Sequence, residues 1–362
     1  MWLLLLLFDL HREEFGRVIM TKRFLSVLAG VLLCSPFPAN AINFNFEPDP
    51  GTSQDAINGF VQAGNLWNTY FSDSIAVNIE IGFAALDPGI IGQTSSSWIG
   101  PSYSNVVSAL QSHATSLDDF SAYGNLQPGS SYNRLINYTS NNPNGPNSSV
   151  PYMDSMDWVG LTSANAKALG LLAPSANTDA RIVFSTSFSF DFDRAVVDPF
   201  SIDFVGAAAH EIGHVLGFVS GVDDIDTMGG AQPGTNFSSN MIDLFRYSTN
   251  SIAYGSGVTD YTAGDLYAKY FSVDGGTNIV AQFAAGKVLG DGQQASHWKD
   301  GLNLGIMGPA VGYGQTLNVS TNDVRAFDVI GYTLLPEPGT AQLVMIGFVV
   351  YTGVLGLRRR RT

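Results

Sequence analysis

The sequence predicts an α+β fold, on three observations. Apolar residues recur at helical spacing over 54–71 and around 202–217. They alternate in strand fashion over 75–81 and 181–192. The composition, 45% apolar and only 13% charged with 39 glycines, is that of a loop-rich globule rather than a disordered chain. At 362 residues the chain has length for one large or two modest domains.

The elements follow in order. Ile57, Phe60, Val61, Leu66, Trp67 and Tyr70 share one helical face of 54–71. Residues 75–81 (Ile-Ala-Val-Asn-Ile-Glu-Ile) read as a half-buried strand, and 106–117 as a second helix. The stretch 139–151 is rich in Asn, Pro, Gly and Ser and reads as a loop. A short helix ends over 167–172, before Pro174. In 181–192, Ile182, Phe184, Thr186, Phe188 and Phe190 alternate with smaller polar residues, as an edge or an internal strand. The helix 202–217 carries Val205, Ala208, Ala209, Ile212, Val215 and Leu216 on a face expected to pack on the sheet. Beyond it come a strand over 241–247 and a hairpin-like pair, 270–273 and 278–283, joined through Gly275-Gly276. An amphipathic helix over 321–330 presents Val324, Phe327, Val329 and Ile330. No internal repeat is visible.

Within the central helix stands His210-Glu211-Ile212-Gly213-His214, followed by Val215-Leu216-Gly217-Phe218. Residues four apart lie on one helical face, so His210 and His214 can point at one metal ion. Glu211 projects beside it, where a carboxylate polarises a bound water rather than ligating. The chain has five histidines and six glutamates, so the pattern is specific. The bland alternative is a buried helix with two hydrogen-bonded histidines and a surface Glu. A catalytic metal site needs a third protein ligand. No glutamate occurs between Glu211 and Glu337, and His297 is the one histidine downstream. Asp223, Asp224, Asp226 and Asp243 remain weaker alternatives. Met307 follows in a Gly/Pro turn, Gly305-Ile306-Met307-Gly308-Pro309, and read alone it is an ordinary core methionine.

Together these residues resemble the metzincin zinc proteases, in their leishmanolysin-like branch. The usual metzincin pattern would place its third His at position 220, where this chain has Ser220. The leishmanolysin-like branch instead carries an insertion, after which the third His appears as Ser-His-Trp shortly before a methionine turn. Ser296-His297-Trp298 and Met307 match that arrangement. The resemblance covers mainly 180–332. It implies zinc held by His210, His214 and His297, Glu211 as catalytic base and acid, Gly217 as the helix-ending turn and Met307 as the methionine turn. It also implies a zincin-like fold: a twisted mixed sheet with the active-site helix in an N-terminal subdomain, 42–219, and a C-terminal subdomain, 220–335, across the cleft. An edge strand near such a cleft pairs with extended substrate, and part of 181–192 is a candidate for it. The expected activity is that of a zinc metalloendopeptidase acting on proteins or peptides.

The two ends read as export signals. Residues 1–19 are expected to be a non-native upstream extension, with the natural start at Met20. Lys22-Arg23, an apolar run over 24–33 and Ala39-Asn40-Ala41 then form a signal peptide over 20–41. Its cleavage removes Cys34, the only cysteine, so the mature chain has no disulfide and no thiol to block a metal. Leishmanolysin itself is disulfide-rich, and this chain departs from it there. At the other end Pro336-Glu337-Pro338 precedes an uncharged apolar run just long enough to span a bilayer, and then Arg358–Arg361. That order resembles the PEP-CTERM sorting signal of Gram-negative bacteria, over 336–362. It implies an exosortase-type processing enzyme as partner, a transient inner-membrane anchor, and a destination at the cell surface or in the extracellular matrix. A plain tail anchor is the alternative.

Between these signals, residues 42–335 carry 27 acidic and nine basic side chains. A nucleic-acid partner is excluded by that balance, since phosphate binding needs a basic surface. Calcium is a second candidate cofactor, at Asp191-Phe192-Asp193 or Asp223-Asp224-Ile225-Asp226, though neither matches a 12-residue calcium loop. The alternative function is a non-catalytic biofilm or surface-binding protein that keeps the fold. The complete His, Glu, His, His set is more than simple binding requires.

Overall fold

Residues 41–335 are described in the structure, a computed structural model. The extension expected over 1–19, all but the last residue of the leader expected over 20–41, and the sorting signal expected over 336–362 lie outside them. Among the described residues no helix is long and apolar enough to cross a membrane.

The chain opens as a strand–helix–strand unit. β1 (Asn43–Pro48) leads through α1 (Gln54–Asn68) to β2 (Ala76–Ala84), and the two strands pair in parallel. The Ser53 hydroxyl starts α1 by accepting from the Ala56 N–H at 3.2 Å, as an N-cap does. Next come β3 (Gly92–Ser96), β4 (Trp98–Ile99), α2 (Tyr103–His113), α3 (Leu117–Gly124), β5 (Tyr132–Ile136) and β6 (Tyr152–Met156). β7 (Leu161–Thr162), α4 (Ser163–Ala168) and β8 (Ala180–Ser185) follow. The principal sheet has the order β1-β2-β8-β3: β8 runs parallel to β2, and β3 closes the edge antiparallel to β8. The fold is therefore α+β with a mixed sheet.

A short parallel pair, β9 (Phe190–Asp191) and β10 (Ile202–Asp203), delivers the chain into α5 (Phe204–Val215). After it come α6 (Val222–Met228), β11 (Arg246–Tyr247), α7 (Thr249–Tyr254), β12 (Thr259–Tyr261), β13 (Tyr270–Phe271), β14 (Ala281–Gln282) and α8 (Thr321–Val329). β11, β13 and β14 form an antiparallel sheet, while β12 returns to pair in parallel with β5.

Several expectations need correction. The strand expected over 241–247 is a 3-10 turn, Met241–Phe245, with strand only at Arg246–Tyr247. Its cause is local: the Asp243 carboxylate accepts the Asn240 N–H at 2.8 Å, closing a capping box that an extended chain could not make. The helix expected over 106–117 begins earlier, at Ser102 as N-cap, and stops at His113; Ser116 then caps a separate α3 through Asp119. The alternation over 181–192 is broken by a turn between β8 and β9, and β8 is internal to the sheet. The edge strand beside the cleft is β3, whose polar Gly-Gln-Thr-Ser-Ser sequence gives no periodic signal.

α5 lies principally against α1 and along β3, so the apolar face expected to meet the sheet meets a helix first. The close approach depends on Gly59 of α1, where a Cβ would stand 2.5 Å from the Phe204 ring. Trp67 fills the space between α1, α5 and α8. It donates Nε1 to the Ala209 carbonyl at 2.9 Å and meets Phe327 edge-on at 4.6 Å. Burying aromatic side chains of this size contributes about 1.5–3 kcal/mol each.

α8 docks on α3 through a polar contact. The Ser116 hydroxyl donates to Asp328 Oδ2 at 2.5 Å, while Asp328 Oδ1 is buried without a partner. Burial, with Asp119 and Asp118 nearby, pushes the Asp328 carboxyl up from 3.8 to about 7. A folded pKa above the unfolded one favours folding below pH 3.8, and that contribution is lost as pH rises through about 7. Asp328→Asn removes the titration and keeps an oxygen for Ser116. It is expected to be more stable than the parent at pH 8, on the order of 2–4 kcal/mol, and to show no such gain at pH 4. Thermal melts at the two pH values check this.

Candidate metal centre

The centre is built on α5. Asp203 caps its first turn, accepting the Gly206 N–H at 2.9 Å, and takes the Leu317 N–H at 3.1 Å on its other oxygen. The helix ends in a Schellman turn. The Phe218 N–H reaches the Gly213 carbonyl at 3.1 Å and the Gly217 N–H reaches the His214 carbonyl at 3.1 Å. Such a turn needs a positive φ at its exit residue, and Gly217 adopts φ +112°. The turn also does chemical work, because it brings the Phe218 carbonyl to His214 Nδ1 at 2.8 Å.

His210 and His214 lie one turn apart, with their Nε2 atoms 3.1 Å apart. His297 joins them across 87 residues of sequence, its Nε2 3.3 Å from that of His210. One nitrogen from each ring lies within 4.8 Å of the others, which makes the three a group able to hold a metal ion. Each ring turns its other nitrogen to a main-chain carbonyl: His210 to Ile306 at 2.7 Å, His214 to Phe218 at 2.8 Å, His297 to Gln294 at 3.2 Å. A carbonyl only accepts, so each Nδ1 carries the proton and each Nε2 presents a bare lone pair. Three lone pairs facing one another have no proton between them, and a cation is what satisfies them. Burial supports the neutral state: it pushes His214 down to about 3, with the neighbouring His210 adding to the effect, and His297 well below its usual range.

His297 and the methionine turn share one support. Trp298, fully buried, donates its main-chain N–H to the Met307 carbonyl at 2.9 Å. Asp323 of α8 then gathers both segments. Its carboxylate accepts Trp298 Nε1 at 2.8 Å, the Ile306 N–H at 2.8 Å, the Met307 N–H at 3.2 Å and the Ser320 N–H at 2.7 Å. Burial pushes this carboxyl up, and the donors around it oppose that shift. Ile306 passes the constraint on, since its carbonyl orients His210. Met307 packs directly beneath the histidine helix, where a Cβ on Gly213 would fall 2.3 Å from its sulfur.

Glu211 lies on α5 beside the histidines, 7% exposed, at the floor of a cleft of about 1000 Å³. The Thr94 hydroxyl of β3 donates to its Oε2 at 2.6 Å, and Oε1 lies so close to β3 that a Cβ on Gly92 would stand 2.7 Å away. Burial raises the Glu211 carboxyl, while His210 and Thr94 hold it back. Edge strand β3 forms one wall of the cleft, and Trp98 and Trp158 extend it.

The structure thus brings together His210, Glu211, His214 and His297, with Gly217 and Met307 in support. Four aspartates named as alternatives are placed otherwise. Asp223, Asp226 and Asp243 accept main-chain N–H groups, and Asp224 lines the cleft outside the histidine group. Asp191 likewise accepts the Asp193 and Asp198 N–H groups at 2.9 and 2.7 Å. Among the described residues no second group of three or more His, Cys, Asp or Glu side chains gathers as the histidines do. Thr94, Gly92 and Asp323 escape sequence reading; only Asp323 carries a local signal, the Ser320-x-x-Asp323 capping box. Compared with known proteins, the chain matches no family model, no curated protein and no solved structure.

Gly217→Ala tests the helix exit. A side chain at φ +112° is strained by about 1–2 kcal/mol, and the Phe218 carbonyl should shift from His214. The expected result is a lower melting temperature and a narrower gap between metal-loaded and chelator-treated protein. An unchanged gap would show that the turn does not orient His214.

Proposed function

We propose that the chain is a zinc-dependent metalloendopeptidase of the leishmanolysin-like metzincin type. One observation carries the reading: three imidazole Nε2 atoms converge, each ring oriented by a carbonyl, beside a buried glutamate at the floor of a cleft. Zinc suits three neutral imidazoles. Tetrahedral Zn–N bonds of 2.0–2.1 Å set ligand nitrogens about 3.3–3.4 Å apart, close to the 3.1 and 3.3 Å separations here.

When bound, zinc supplies a Lewis acid for the scissile carbonyl and lowers the pKa of water. Glu211, held by Thr94, takes the proton of the attacking water and returns it to the leaving amine. The free edge of β3 offers main-chain donors and acceptors to an extended peptide, which places the scissile bond over Glu211. The substrates are accordingly proteins or peptides, with no role for nucleic acid. In the same reading the leader over 20–41 exports the chain, and the signal over 336–362 sorts it to the surface through an exosortase-type enzyme.

Elemental analysis of the purified chain, beside proteolysis of an unfolded dye-labelled protein, tests the proposal. The expected parent carries one zinc and cleaves in a chelator-sensitive way. Glu211→Gln should keep its zinc and lose about 10²–10⁴-fold in rate; full activity in that variant would sink the mechanism. Zinc retained without any cleavage by the parent would leave the surface-binding alternative in front.

A further inference from the structure

His210 and His214 stand on a rigid helix, but His297 follows an irregular loop, 286–296. We propose that Asp223 and Asp226 of α6 are positioning residues for His297, holding the two ends of this loop and thereby setting the metal affinity of the centre. The proposal rests on the metal-centre reading above.

Three residues apart, the two carboxylates share one side of α6. Asp226 holds the start of the loop, accepting the Val288 N–H and the Leu289 N–H at 2.7 Å each. Gly286 has φ +129°, and a Cβ there would lie 2.5 Å from Asp226 Oδ1, so the loop lies directly on this carboxylate. Asp223 holds the end. It accepts the Ala295 N–H at 2.6 Å, the Ser296 N–H at 3.2 Å and the Ser296 hydroxyl. Those residues form the turn whose Gln294 carbonyl orients His297 Nδ1. Ser296 also accepts the Ser220 N–H at 2.9 Å, which ties the turn to the exit of the histidine helix. Bonds from N–H groups to an ionised carboxylate are shorter and about twice as strong as neutral ones. Asp223 thus anchors the residue before the third ligand, as Met307 and Asp323 anchor Trp298 after it.

The test uses the full chain and cobalt(II) as the probe, since its visible spectrum reports coordination directly and needs no turnover. The parent is expected to bind one cobalt with a four-coordinate spectrum. Asp223→Asn and Asp226→Asn should bind about 10–100-fold more weakly, with the four-coordinate bands reduced, while the metal-free melting temperature falls by only a few degrees. Asp224→Asn removes the same charge from the same helix without touching the loop, and should bind as the parent does. If Asp223→Asn fails to fold, Ser296→Ala, which deletes the hydroxyl's bonds to Asp223 and to the Ser220 N–H but leaves the Asp223 carboxylate on the Ala295 N–H, should still weaken binding several-fold. Unchanged affinity and spectrum in the loop variants, or an equal loss in Asp224→Asn, would overturn the proposal while leaving the metal centre standing. A parent that takes up no cobalt would overturn the metal-centre reading and this proposal with it.

Discussion

The structure depends on one electrostatic constraint: three imidazole lone pairs are made to converge, those of His214 and His297 lying 3.1 and 3.3 Å from that of His210. Left to themselves, such rings would turn away or share a proton. Here each is prevented from doing so by a main-chain carbonyl that engages the opposite nitrogen. Orientation of the rings therefore becomes a question of where three carbonyls are placed. The Schellman turn after α5 places one, the methionine turn a second, and the loop end before His297 the third.

Buried carboxylates connect these three carbonyls to the rest of the chain. Asp323 collects N–H donors from Trp298 and from the methionine turn, so that α8 holds His297 and His210 through one group. Asp203 fastens the start of α5 to Leu317 in the same manner. Such groups are costly to bury alone and rigid when saturated, which makes them suited to fixing a geometry rather than adding stability. The glycines act by a complementary route. Gly59 admits Phe204, Gly213 admits Met307 and Gly92 admits Glu211, each at a distance where a Cβ would collide. Between them, α5 is held tightly on every side except the one that faces the cleft.

Much of this was legible in the sequence, for identifiable reasons. α1, β2, α5 and α8 carry strong periodic apolar patterns and lie within a few residues of their expected bounds. The histidine pair and Glu211 were visible because helical spacing is a local property. Counting narrowed the third ligand to His297 or an aspartate, and the resemblance of Ser296-His297-Trp298 to the leishmanolysin-like pattern singled out His297. What failed were elements whose conformation is set by polar side chains: the turn at Met241–Phe245, closed by Asp243, and the split between α2 and α3, made by Ser116 and Asp119.

By itself, then, the sequence determined the residue types and their local geometry: two histidines on one helical face, a glutamate beside them, and a glycine at the exit. Tertiary structure alone decided which strand lines the cleft, because β3 is polar on both faces and owes its place to pairing with β8. It alone decided the uses of Asp223, Asp226 and Asp323 beyond the local cap at Ser320, because most of their partners are main-chain N–H groups distant in sequence. Main-chain donors are the same at every residue, and no pattern of side chains can announce which of them a carboxylate will meet.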